Sequence, residues 1–104
     1  MIQYEFYRVA GDNGPPVFFT YRDTDLTGWG LRMIGVYRNT KKRIEIDSTE
    51  VDLLTGQVKF EFTSGDLVEG VADVEFELTP PAPAGRFTVP GCHSVRMNVR
   101  KAVA

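Results

Sequence analysis

The sequence predicts an all-β domain, a sandwich of about seven to eight short antiparallel strands. Three observations predict it. Between residues 52 and 78, Val58, Phe60 and Phe62 alternate with Gln57, Lys59 and Glu61. Ala72, Val74, Phe76 and Leu78 then alternate with Asp73, Glu75 and Glu77. One apolar and one charged face in each run marks a half-buried antiparallel strand. Second, such runs recur at roughly 8–14-residue spacing, divided by Gly-, Pro-, Asn- and Asp-rich breakers. Third, no amphipathic helical pattern longer than about one turn interrupts them.

The elements follow in order. Ile2, Tyr4 and Phe6 alternate with Gln3, Glu5 and Tyr7, a first strand ending near Val9. Gly11 to Pro16 is a breaker loop, because its two prolines cannot donate to a ladder. Val17 to Arg22 is a second strand, with Val17, Phe19 and Tyr21 on one face. Phe18 and Thr20 stand on the other, so cover on both sides is expected. After the loop Asp23–Gly28, a third strand runs from Trp29 to Arg38. Trp29, Leu31, Met33 and Tyr37 share one parity, and Gly35 marks a bulge or a close backbone approach. Asn39–Lys42 turns the chain into a short strand, Arg43–Asp47, with Ile44 and Ile46 inward.

Residues 48–56 read as a connection, and the pair of strands within 52–78 follows. Between these strands, Ser64–Gly70 reads as a single helical turn, capped by Ser64 or Asp66 and ended by Gly70. Leu67 and Val68 form its lid over the core. Pro80–Gly85 breaks the chain again. Arg86–Val89 and Ser94–Arg100 are the last strands, the latter with Val95, Met97 and Val99 inward. Several strands keep one solvated face, which favours an immunoglobulin-like sandwich over a closed barrel.

At 104 residues the chain forms one domain, residues 1–104. It can bury roughly 65% of its unfolded surface, enough for one core. No apolar run approaches the ~20 residues of a membrane span, so no membrane partner is expected. The opening MIQYEFYRV has neither a basic nor an apolar signal region, so no secretory signal is expected. The single cysteine allows no internal disulfide, which fits assembly in a reducing cytoplasm.

Charge is segregated along the chain. Residues 1–44 carry seven Lys/Arg and four Asp/Glu, residues 45–77 one Lys and ten acids, and residues 78–104 four basic residues and no acid. Solvated strand faces account for this. A sharper expectation is separate acidic and basic surfaces that dock complementary neighbours. Asp73, Glu75 and Glu77, with Arg96 and Arg100, are the candidate partner-docking residues. The basic residues do not cluster with aromatics, so no nucleic-acid partner is expected.

No motif carries chemistry, and no catalytic, cofactor or metal residues are assigned. Cys92 and His93 are adjacent on an extended segment, so their side chains diverge, and no second Cys or His completes a zinc site. Asp23 and Asp25 suit turns better than a calcium loop. The three outward acids would make a glycosidase pair only inside a cleft. On this strand they form a solvated face or a charge-guarded edge. Gly28, Gly30 and Gly35 precede no helix, so they do not cradle phosphate. Tyr21, Trp29 and Tyr37 could form an aromatic platform for sugar. That would make the chain a carbohydrate-binding or adhesin-like module, although a tryptophan also suits a sandwich core.

Three stretches carry a resemblance: YEFYRVAGDNGPPVFFTYRDTDLTGWGLRM, DLLTGQVKFEFTSGDL, and ADVEFELT followed by a short strand and SVRMNVR. Together they resemble the N-terminal immunoglobulin-like domain of the phage baseplate upper protein family, over nearly the whole chain. The resemblance implies a non-enzymatic β-sandwich that attaches one virion component to another. It also implies many copies, other virion proteins as partners, and assembly in the host cytoplasm. The matching positions, Asp25, Leu26, Thr27, Gly28, Thr55, Gly56, Gln57 and Val58, read as scaffold. Longer members continue into trimer-forming or receptor-binding parts, whereas this chain ends four residues after its last strand. The expectation is therefore a free-standing adaptor or decoration module of the tail, baseplate or capsid.

Overall fold

The alternating runs fold into two facing sheets, the all-β sandwich their periodicity predicts. The computed structural model describes residues 3–63, 65–81, 85–89 and 94–103. Within them the strands are β1 (Gln3–Val9), β2 (Val17–Thr20), β3 (Gly30–Tyr37), β4 (Arg43–Asp47), β5 (Thr49–Asp52), β6 (Gln57–Phe60), β7 (Gly70–Thr79), β8 (Phe87–Val89) and β9 (Ser94–Arg100). The larger sheet has the order β1-β9-β7-β3-β4, and the smaller the order β2-β6-β5. The edge of β7 facing β9 is shared: Gly70–Val74 pair with β9, and Phe76–Leu78 pair with β8.

One pairing departs from the antiparallel pattern. β1 runs parallel to β9 from Gln3 opposite Ser94 to Val9 opposite Arg100. A parallel pair needs a long connection, and the rest of the domain lies between these two strands.

The runs at 57–62 and 72–78, expected as a strand pair, do not pair with each other. β6 lies in the smaller sheet and β7 in the larger, and their inward faces meet across the core. The Phe60 and Phe76 rings lie 5.4 Å apart, with Phe19 4.9 Å from Phe76. Alternation sets which face is apolar; it does not choose a partner strand.

Segment 61–69 therefore crosses between sheets, and among its described residues there is no helical turn. The Asp66 carboxylate accepts from the Thr63 backbone N–H at 2.8 Å and its hydroxyl at 3.0 Å, closing a turn instead of capping a helix. Gly70, expected to end a helix, opens β7 at φ +143°. Ser64 lies outside the described residues. The lid itself forms as expected. Leu67 is buried, and the Tyr37 hydroxyl donates to the Asp66 carbonyl at 2.8 Å while accepting from Val68 N–H at 3.1 Å.

Residues 48–56 hold β5 and a 3-10 turn, Leu53–Thr55. All four β5 residues are exposed, so no apolar period announced the strand. β2 is not covered on both sides: Phe18 is 67% exposed and Thr20 is exposed. Gly35 is a close approach, not a bulge. Its register is unbroken on both sides, and a Cβ there would stand 3.1 Å from Ile44 Cγ1. The core gathers Leu31, Met33, Tyr37, Val58, Phe60, Ala72, Leu78 and Met97. Leu26, from the β2–β3 loop, joins them, its N–H donating to the Leu53 carbonyl at 2.8 Å.

Candidate functional site

Three surfaces were candidates: the outward face of the larger sheet, the aromatic group, and the loops around them. On the larger sheet, β7 is central, flanked by β3 on one side and by β8 and β9 on the other. Its acids therefore do not guard an edge; Asp73 and Glu75 are exposed on the sheet face, while Glu77 is half-buried.

Register places arginines from neighbouring strands beside these acids. Arg32, opposite Glu77, donates to it from Nη2 at 2.5 Å and Nε at 3.2 Å, and reaches Glu45 on β4 at 2.9 Å. Arg38 forks onto Asp73, with Nη2–Oδ1 at 2.7 Å and Nε–Oδ2 at 3.0 Å. Arg86 approaches Glu77 at 3.5 Å, and Arg96 approaches Glu5 at 3.4 Å. The hydrogen bonds from Arg38 and Arg32 hold the Asp73 and Glu77 carboxyls below their ordinary range. Ile34 also points outward, in register between Glu45 and Glu75, yet it is only 3% exposed.

This lattice corrects the expected division into acidic and basic surfaces. The topology sets β3, from the first basic block, beside β7, from the acidic block. β8 and β9, from the last basic block, lie on the other side of β7. The segregated charges therefore interleave strand by strand and neutralise within the fold. Among the candidate docking residues, Asp73, Glu77 and Arg96 are committed to partners within the chain. Glu75 is exposed, and Arg100 is exposed at the end of β9, its guanidinium donating to the Lys101 carbonyl at 3.3 Å.

The aromatic platform is also corrected. Tyr37 is fully buried, with its hydroxyl spent on the lid, so it offers no face to a ligand. Tyr21 and Trp29 remain together, half-buried, with ring centroids 6.0 Å apart and planes tilted by 53°. Trp29 also lines a cleft of about 440 Å³ with Arg32, Asp47, Ser48, Glu77 and Arg86.

Among the loop candidates, the Asp25 carboxylate accepts from Thr27 N–H at 2.9 Å, a local turn. No group of three or more His, Cys, Asp or Glu able to hold a metal occurs among the described residues. Cys92 and His93 lie outside those residues.

The surface that sequence reasoning missed is the outward face of the smaller sheet. Phe18, 67% exposed, stands in register with Lys59 on β6, and Lys59 stands in register with Thr49 on β5. Val51 and Leu54, on the β5 side of the same sheet, are 45% and 72% exposed. The available signal was Phe18 itself, a large apolar residue out of parity with Val17, Phe19 and Tyr21. No protein-family profile, curated protein or solved structure matches the chain.

Proposed function

We propose that this chain is a non-enzymatic structural protein of a tailed-phage virion, an adaptor or decoration module of the tail, baseplate or capsid. In this reading it is present in many copies, docked on other virion proteins, and assembled in the host cytoplasm. The observation that carries the reading is the outer face of the smaller sheet. Most large apolar side chains are buried, yet Phe18, Val51 and Leu54 are held in solvent on this sheet and its flanking turn. Exposed apolar side chains on one sheet are what a docking surface offers a partner. Lys59 and the exposed acid Asp52, which stands in register with Gln57, give that surface a polar setting, as in protein–protein interfaces. The larger sheet supports the same reading from the other side. Arg32 and Arg38 there are already paired with Glu77 and Asp73 across strands, which leaves those charges satisfied within the chain. The resemblance to the baseplate upper protein domain supports the virion as the setting.

The test is composition. Mass spectrometry of purified particles from a phage that encodes this chain should find it in multiple copies per particle. Particles that lack it would contradict the proposal.

A further inference from the structure

We infer that the cleft beside Trp29 is a binding site for a neutral saccharide. The cleft opens where the start of β3, the end of β7 and the β4–β5 junction meet. Its volume of about 440 Å³ falls in the lower part of the range for small-molecule sites.

The lining selects the ligand class. Arg32 and Arg86 supply two positive charges, and Asp47 and Glu77 two negative ones, so the formal charge of the cleft cancels. A free anion would sit against two carboxylates, and a cation against two guanidiniums. A neutral ligand rich in hydroxyls can donate to the acids and accept from the arginines at the same time.

The polar groups are also positioned in advance. Arg32 is clamped between Glu45 and Glu77, so its fork need not be ordered when a ligand arrives. Asp47 stands opposite Arg32 across the strand pair. Arg32 nevertheless spends its contacts on the two glutamates, and no ion pair holds Asp47 among the described residues. The Asp47 carboxylate, on an exposed residue, is therefore available as a bidentate acceptor.

Trp29 provides the remaining element. It is buttressed by Tyr21 and lines the cleft next to these polar groups. An aromatic wall beside planar charged groups matches a pyranose ring, which has an apolar C–H face and a hydroxylated edge. The site goes beyond the structural role: it would give a virion module its own hold on a glycan. It does not depend on that role, because the isolated chain is enough to test it.

Trp29 is the only tryptophan, so its emission reports on this cleft alone. Purified chain is titrated into the millimolar range with glucose, galactose, mannose, N-acetylglucosamine and linear tetrasaccharides of each, and separately with phosphate and sulfate. At least one neutral saccharide should change the emission saturably, with its tetrasaccharide binding more tightly. Asp47→Ala and Arg86→Ala, both at exposed positions, should each weaken that binding about tenfold, while Glu50→Ala, outside the cleft, should leave it unchanged. An unchanged emission with every saccharide would overturn the inference. So would a response to phosphate or sulfate alone, or an Asp47→Ala chain that binds as tightly as the wild type.

Discussion

Gly56 offers the sharpest test of how the sandwich is joined. It follows the 3-10 turn at φ +82° and carries the chain into β6. A Cβ at this position would stand 2.0 Å from the Tyr21 carbonyl oxygen and 2.9 Å from that of Thr24. Gly56→Ala therefore meets two costs. The left-handed backbone costs an L-residue about 1–2 kcal/mol. The collision is with backbone, so it is relieved only by separating the two segments. That separation breaks the Tyr21 N–H to Gly56 carbonyl bond, 2.8 Å long, and strains the Leu26 N–H to Leu53 carbonyl bond beside it. With about 1 kcal/mol per hydrogen bond and the buried Leu26 disturbed, the total reaches about 4 kcal/mol or more. For a domain of this size that lowers Tm by roughly 15–30 °C. Gly65→Ala is the matched control. Gly65 has φ +92° but nothing within 4 Å of its Cβ, so only the backbone term remains, about 1–2 kcal/mol. Thermal and urea unfolding of both variants gives the comparison. Equal losses would refute the close packing of the β2–β3 loop on Gly56.

Two further predictions concern the core and the charged face. Phe60→Ala removes a fully buried ring that meets Phe76 and Phe19, and should cost about 3–5 kcal/mol in urea unfolding. Lys59→Ala, one position away on the outer face, should stay within about 0.5 kcal/mol, and equal effects would mean the parity of β6 is reversed. Asp73 and Glu77 have folded pKa values below their unfolded values, so the folded state binds fewer protons than the unfolded state in mild acid. Their contribution to stability is present above the unfolded carboxylate values near pH 4, and is lost as pH falls through the lower folded values. The Asp73→Asn, Glu77→Gln double variant should unfold with a flatter acid dependence than the wild type. An identical acid profile would contradict the pairing with Arg38 and Arg32.

The fold was legible where a period of two was strong and one face was fully buried. Val58, Phe60 and Phe62, then Ala72, Val74, Phe76 and Leu78, were placed inward by alternation alone, and all are buried. β5 was illegible because Thr49–Asp52 lies at a sheet edge with every residue exposed, leaving no pattern to detect. The pairing of strands was illegible for a different reason. Alternation fixes a residue's face, whereas the partner is set by how distant segments register. The same gap hid the ion pairs. Arg32 and Glu77 are 45 residues apart, and only the β3–β7 register brings them together. As a result, a charge pattern that looked like material for two surfaces became one neutralised face. At the candidate sites, parity had already placed Tyr37 with Leu31 and Met33, and burial follows that parity and not the platform. Phe18 was visible as a break in parity, but only its exposure shows that no second core covers it among the described residues.

The outer face of the smaller sheet is the proposed docking surface, and particle assembly tests it directly. The decisive measurement is competitive incorporation into particles. Wild-type chain and a Phe18→Ser, Leu54→Ser variant are supplied in equal amounts during phage assembly, and both are quantified by mass spectrometry of the purified particles. The two substituted side chains are solvent-exposed, so the variant should unfold within about 0.5 kcal/mol of the wild type. The account predicts particles that contain the wild-type chain and are strongly depleted of the variant. Equal incorporation of the two chains, or particles containing neither, would contradict it.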